Sequence, residues 1–441
     1  MSQEVTKLIE NSRSVLDFLN KESNKNINFI IKLIKKKILN KNINYQLSEM
    51  AVKETGFGNV KDKVYKNKYK TENLIKEILQ IKTNEAIYNK NKKIYEIIKP
   101  IGLICGVTPS TNPIATALNY IINSIKCRNS IIICPNPRSY KVSKILINKI
   151  KEIFIDNNIP SEIINIVPES IIRGDELINL FNLCDKNIVT GNKNFISKVK
   201  KSEKPFLTFG VGNVPVIINK DADLSHAVSS ISKSKSFDNS TSCSADSVMI
   251  VHKKIYNSFV NKLISNNFYC LDEDGKKNFE ESYFTKGNIN PRLVGKDAQT
   301  ILKYINVKTE KVKIIVYEKK KFDKNHFIFN EKILPLIGLI PFEDISDAIK
   351  IADDILNING LGHSVGVYSK NTKDILEISK SLNVSRLIIN QAHSQSAGGG
   401  GNNSLNTTMS LGCGTWGNSL INHNLNYLDF SNKTTVVFKS K

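Results

Sequence analysis

The chain is poor in arginine, in tryptophan and in paired cysteine, and it has no long apolar run. Only six of its 63 basic residues are arginine: Arg13, Arg128, Arg138, Arg173, Arg292 and Arg386. The net charge of +22 therefore rests on lysines scattered through the whole length among isoleucines and asparagines. Arginine is the usual bidentate reader of bases and phosphates. Its scarcity speaks against a nucleic-acid partner, while the lysine excess still attracts anionic small molecules. No stretch approaches the roughly 18 apolar residues that cross a bilayer, so no membrane partner is expected. The seven cysteines (Cys105, Cys127, Cys134, Cys184, Cys243, Cys270 and Cys413) are odd in number and include no C-x-x-C pair. They offer neither a disulfide framework nor a zinc site, and no metal is expected. The N-terminal segment is charged and helix-patterned, without a secretory apolar core. A reducing cytoplasm is the expected compartment.

At 441 residues the chain calls for two or three domains. Residues 1–85 carry apolar positions at three- and four-residue spacing and read as helices. A β-type run over 93–107 follows, interrupted by Pro100 and Gly102. It leads into a polar loop, Thr108 to Asn112, and Pro113 then opens an amphipathic helix. A second apolar strand, Ser130 to Cys134, precedes another helical stretch, and 187–190 give a strand end at Gly191. This alternation argues for an α/β protein with parallel sheets covered by helices. Gly210 and Gly212 form a Gly-x-Gly pair without the third glycine of a dinucleotide fingerprint, which reads as a tight turn between strands. Residues 254–330 are lysine-rich and hard to read. A long glycine-rich loop over 392–419 is of the length that usually carries function, and the segment from Asn426 to Phe438 reads as an edge strand.

The stretch FDNSTSCSADSVMIV, residues 237–251, is central. A turn-prone polar run delivers Cys243, and an apolar β-type run follows at once. A thiol at the mouth of an element has access on one side and rigid support on the other, which suits a nucleophile. Taken alone, it equally suits a small buried core cysteine.

With Asn112, Gly212 and Cys243 considered together, the chain resembles the aldehyde dehydrogenase superfamily, and within it the CoA-acylating branch. The segments ETGFGNVKDKVYKN, KPIGLICGVTPSTNPIATA, RNSIIICPNPRS, FGVGNVPVIINKDAD, KSFDNSTSC, GLGHSVGVYS and SRLIINQ…LGCGTWG follow the family's order. Hydrolysing members carry an E-L-G-G motif whose Glu activates water. FGVGNVP set under that motif places Phe209 at the Glu position, 34 residues before Cys243, and a phenyl ring cannot act as a base. The resemblance implies Cys243 as nucleophile, with the Asn112 amide and the Cys243 backbone N–H as oxyanion donors. It places NAD or NADP along Thr108, Pro109, Pro135, Arg138, Gly191, Lys193, Gly210, Gly212 and Glu331. His393 and Gly412 fall to the substrate site, while His363 braces a turn and Cys413 is structural. In the branch's G-G-P-G run this chain has Gly191, Asn192, Lys193 and Asn194, and Ser240 stands where F-D-N-G is usual.

The implied fold is aldehyde dehydrogenase-like. Residues 1–209 form a Rossmann-like cofactor domain and 210–400 an α/β catalytic domain carrying Cys243. Residues 401–441 return to the cofactor domain and join 86–100 in a β oligomerisation arm, so a homodimer or homotetramer is expected. Cys243 attacks the aldehyde, hydride passes to the nicotinamide, and coenzyme A takes the acyl group, with ping-pong kinetics. Acetaldehyde, sulfoacetaldehyde and succinate semialdehyde are the substrates considered. Two rival readings stand beside this one: an acyl-phosphate reductase of the glutamyl-phosphate type, and a non-catalytic basic binding protein.

Overall fold

The near-continuous isoleucine and valine runs fold into two parallel sheets, each buried on both faces, as strands between helix layers must be. The computed structural model describes residues 2–191, 193–285, 288–400 and 403–439, the side chains at 193, 194 and 288 excepted. The first sheet has the order Ile164–Ile166, Ser130–Pro135, Leu103–Thr108, Lys186–Thr190, Phe206–Phe209, all parallel. Leu103–Thr108 and Ser130–Pro135 are buried at every position. Pro113 sits in the first turn of the helix Pro113–Lys126, which is buried along its whole length. Strand order runs outward from Leu103–Thr108 on one side and then returns to its other side at Lys186–Thr190. The loops leaving these two strands therefore part and open a crevice beyond their carboxyl ends.

The N-terminal helices pack on this sheet. Ile27, Ile31 and Ile34 join Ile121, Ile131 and Ile147 in one core. The helix Val60–Ile78 lies against Pro113–Lys126 and also reaches the segment before Cys243.

The second sheet is seven-stranded, in the order Phe268–Cys270, Ile314–Glu318, Leu336–Phe342, Asp246–His252, Val214–Ile218, Val365–Tyr368, Leu387–Ile389, and its pairings are parallel. The strand after Cys243 is thus the central one. A third, antiparallel sheet pairs Ala86–Asn89 with Ile94–Pro100, and Ile94–Pro100 with Ser431–Val436.

The β-type run over 93–107 divides at its Pro100–Gly102 interruption, between the antiparallel sheet and the first parallel sheet. Gly102 makes the break at φ +125°, where a Cβ would lie 2.3 Å from Asp185 Oδ2. Residues 210–213 do lie between two strands but form no tight turn: they cross from Phe206–Phe209 in one sheet to Val214–Ile218 in the other. The C-terminal strand begins only at Ser431, since Tyr427–Phe430 closes into a single 3-10 turn capped by Asn426. The illegible 254–330 holds short helices, Tyr256–Ile264 and Ala298–Tyr304 among them, each burying only two or three side chains.

Candidate active site

Sequence local to Cys243 forces a strained approach. Asp238, Asn239 and Ser240 have φ values of 50°, 51° and 61°, left-handed conformations that cost non-glycine residues about 1–3 kcal/mol each. Contacts hold them there. The Asp238 carboxylate, fully buried, accepts from the Asn59 backbone N–H at 3.0 Å, Lys63 Nζ at 3.0 Å, Lys66 Nζ at 2.6 Å and Thr241 Oγ1 at 2.8 Å. The Asp238 backbone N–H donates to Asp62 Oδ2 at 2.8 Å. The helix Val60–Ile78 therefore grips the loop that presents the thiol, three residues ahead of the central strand Asp246–His252.

Cys243 lies where two hollows meet; Ser242, Cys243 and Met409 line both. The larger, of about 750 Å³, fills the crevice of the first sheet. Pro109, Asn112, Arg138, Gly191, Phe209, Gly210 and Glu331 line it. The smaller, of about 40 Å³, is lined by Tyr65, Lys66, Tyr69, Lys70, Phe237, Ser394 and Gln395 among others.

Burial, with the Glu331 charge adding to it and Arg386 opposing it, pushes the Cys243 thiol up to about 12. Burial likewise raises Glu331 to about 7, against the pull of the Gly212 N–H, which donates to Glu331 Oε1 at 3.2 Å. The Asn112 amide is held at both ends: Lys66 Nζ donates to its Oδ1 at 2.6 Å, and its Nδ2 donates to Thr111 Oγ1 at 3.3 Å, with one N–H left for another acceptor. Lys70 is buried and lowered to about 7 by desolvation and by Lys66. Its Nζ donates to the carbonyls of Gly398 at 3.0 Å and Gly399 at 2.7 Å.

Of the expected site residues, Cys243, Asn112, Pro109, Arg138, Gly191, Gly210 and Glu331 share the larger cavity. Gly212 touches it from beneath through Glu331. Thr108 and Pro135 are buried one step back, at the paired strand ends, and do not line it. Asn192 and the side chains of Lys193 and Asn194 lie outside the described residues. His393 lines neither hollow. It is buried, its Nε2 is 2.8 Å from Ser364 Oγ, whose other neighbour is His363 Nδ1 at 2.7 Å, and burial and Arg386 lower it to about 3. It is an uncharged packing histidine, and its neighbours Ser394 and Gln395 reach the smaller hollow instead. Gly412 is also behind the wall, its carbonyl accepting from Arg386 at 2.7 Å.

Reading the sequence missed Lys63, Lys66, Lys70 and Asp238. A signal was present: the three lysines fall on one face of the helix Val60–Ile78, and that face is buried. Lysine does not bury without a partner or a task.

The sequence profile described as "Aldehyde dehydrogenase family" matches residues 4–410. Sulfoacetaldehyde dehydrogenase of Acholeplasma sp is 32% identical over 398 residues, which cover 89% of this chain and 82% of that protein. Succinate-semialdehyde dehydrogenase (acetylating) of Clostridium kluyveri is 30% identical over 450 residues, covering 100% of this chain and 97% of that one. Among solved structures, an acetylating aldehyde dehydrogenase from Geobacillus thermoglucosidasius superposes with a TM-score of 0.93 at 27% identity, covering 100% and 97% of the two chains.

Proposed function

The chain belongs to the aldehyde dehydrogenase family, and on that premise we propose that it oxidises a short-chain aldehyde to its CoA thioester: aldehyde + CoA + NAD(P)⁺ gives acyl-CoA + NAD(P)H + H⁺, reversibly. The observation that carries the acylating reading is Phe209. It lines the cavity beside Cys243, so a phenyl ring stands where a water-activating carboxylate would be needed. Relatives whose names carry "acylating" or "acetylating" support the same reading.

The residues present fit a dinucleotide. The crevice lies at the strand-order switch point, its volume is in the range of cofactor sites, and a Cβ at Gly210 would meet nothing within 4 Å. Glu331 would hold ribose hydroxyls, and Arg138 would face the phosphates. When bound, the nicotinamide accepts hydride from the substrate carbon. The protein does the rest. Cys243 attacks the aldehyde carbonyl, and the Asn112 Nδ2 and the Cys243 N–H receive the developing oxyanion, one such donor being worth about 3 kcal/mol. With a thiol raised by burial, proton loss must accompany attack or follow from a change in the surroundings on ligand binding. Phe209 keeps water from activation, and the Cys243 thioester waits for the CoA thiol.

The smaller hollow, with room for a few water-sized groups, suits acetaldehyde, sulfoacetaldehyde or succinate semialdehyde. Residues 1–209 serve the cofactor, 210–400 the chemistry, and 401–441 close the cofactor domain and the arm. Val437 and Phe438, at the arm's end, are 72% and 65% exposed, which supports pairing of arms between copies in a dimer or tetramer. No helix among the described residues is long and apolar enough to cross a membrane, and a cytoplasmic site is proposed.

The test is a panel of aldehydes with NAD and NADP, with CoA, with phosphate in its place, and with neither, on wild type and Cys243→Ala. Sustained NAD(P)H formation that requires CoA and vanishes in the variant is expected. Equal turnover without CoA overturns the acylating reading, and phosphate-dependent turnover replaces it with the acyl-phosphate one.

A further inference from the structure

We propose that Lys66 selects aldehydes that carry a second, anionic group, by presenting an unspent ammonium donor in the small hollow that Cys243 also lines. The inference rests on the acylating reading above and narrows its substrate to a short carboxylate- or sulfonate-bearing aldehyde.

The first ground is charge. Lys63 and Lys66 share a single carboxylate, Asp238, at 3.0 and 2.6 Å. Lys63 is 4% exposed, Lys66 5% and Asp238 0%. Among the described residues Asp238 is the one carboxylate in direct contact with the pair, while Asp62 adds only its nearby charge at Lys63; Lys66 is left with a shared carboxylate, an imbalance that a further anion would relieve. The next lysine on the same face, Lys70, does not correct the imbalance. Its partners are backbone carbonyls, and Glu77 on the same helix is bound to the Thr407 N–H at 2.9 Å and to its hydroxyl. Among the described residues no Asp or Glu lines the small hollow.

The second ground is the count of donors. An ammonium has three. Lys63 spends two, on the Thr111 carbonyl at 2.9 Å and on Asp238, and it does not line the hollow. Lys66 spends two, on Asn112 Oδ1 and on Asp238. Its third has no hydrogen-bond partner among the described residues, and Lys66 does line the hollow. The Phe237 ring, 5.3 Å from Nζ, offers a cation–π contact but no neutralising charge.

The third ground is reach. Lys66 and Cys243 border the same 40 Å³. An acid group only a few atoms from the carbonyl would meet Nζ while the carbonyl carbon meets Sγ. The same ammonium holds the Asn112 amide, so one cation would read the substrate's acid group and steady the oxyanion donor.

The experiment compares kcat/KM for succinate semialdehyde and sulfoacetaldehyde with that for butyraldehyde and propionaldehyde, in wild type, Lys66→Met and Lys66→Arg. Wild type should favour the anionic pair. Lys66→Met should lower the anionic-to-neutral ratio by about ten- to a hundredfold, the range of a charged hydrogen bond, and Lys66→Arg should restore part of it. A role confined to holding Asn112 lowers both substrate classes alike; an unchanged ratio overturns the proposal, as does a wild-type preference for the neutral pair. Should Lys66→Met fail to fold, wild type alone decides. Ethanesulfonate and succinate should slow iodoacetamide labelling of Cys243 where butyramide does not, and equal labelling with all three overturns the proposal. Absence of turnover with every aldehyde would sink the acylating reading, while the labelling result would still judge Lys66.

Discussion

A Cβ placed on Gly212 would stand 2.0 Å from the carbonyl oxygen of Cys243 and 2.9 Å from His363 Nε2. The segment that crosses between the two sheets thus lies directly on the backbone of Cys243. Gly212→Ala should displace that backbone and Glu331 together, since the Gly212 N–H also binds Glu331. We expect kcat to fall on the order of a hundredfold, the usual cost of an ångström-scale misplacement, with circular dichroism unchanged. Near-wild-type turnover would show that the loop simply gives way.

Phe209 has a sharper counterpart experiment. It is 3% exposed and faces the same cavity as Cys243. Phe209→Glu would supply the missing base, and acid release without CoA should rise at least severalfold while CoA-dependent turnover falls. Burial of the new carboxylate should also lower the Tm. Product analysis with and without CoA reads the switch; no acid formation would mean that water cannot reach the thioester for some other reason.

The pH dependence of Cys243 follows from its surroundings. Burial and Glu331 hold the thiol near 12, so iodoacetamide labelling of the free enzyme should keep rising roughly tenfold per pH unit from about 7 to 10 instead of levelling near the ordinary thiol value of about 8.5. Glu331 is raised to about 7, so above that pH it is anionic and opposes the thiolate. Glu331→Gln should therefore speed labelling at pH 9 by roughly three- to tenfold and weaken cofactor binding. A plateau near pH 8.5 in wild type contradicts the raised thiol.

Asp238 is the anchor of the loop that carries Cys243. Burial alone would raise its carboxyl, but Lys66 and Lys63 hold it below the ordinary range. A carboxyl lowered by folding stabilises the native state above its unfolded value of about 3.9, and that contribution is lost as pH falls below it. Asp238→Asn leaves two buried lysines unmatched and should cost about 3–5 kcal/mol at pH 7. The difference between variant and wild type should shrink as pH drops below about 4. Urea titrations at pH 7 and pH 3.5 measure both; a pH-independent difference would rule out the ionic account.

Much of the fold was legible because its elements announce themselves locally. The Ile-rich strands, Pro113 at a helix start and the polar loop before Cys243 all obey short-range rules, and the absent E-L-G-G glutamate could be read by setting one segment under a motif. The errors arose where meaning depended on what a segment meets. The segment from Asn426 looks like one strand, yet Tyr427–Phe430 closes into a 3-10 turn before the strand begins at Ser431. His393 sits in a glycine-rich loop that looks functional, yet it turns inward to Ser364 while Ser394 and Gln395 face the hollow.

The sequence by itself determined the α/β alternation, the aldehyde dehydrogenase resemblance, and the pairing of Cys243 with a phenylalanine where a base would stand, because these are properties of residue type and order along the chain. The tertiary structure alone decided that Lys63, Lys66 and Lys70, three among many scattered lysines, are buried on one helix face, and that Lys63 and Lys66 share the Asp238 carboxylate. Lysine side chains look alike in sequence. Burial, distance and the count of partners give one of them a task, and those quantities exist only once helix Val60–Ile78 is packed against the Cys243 loop.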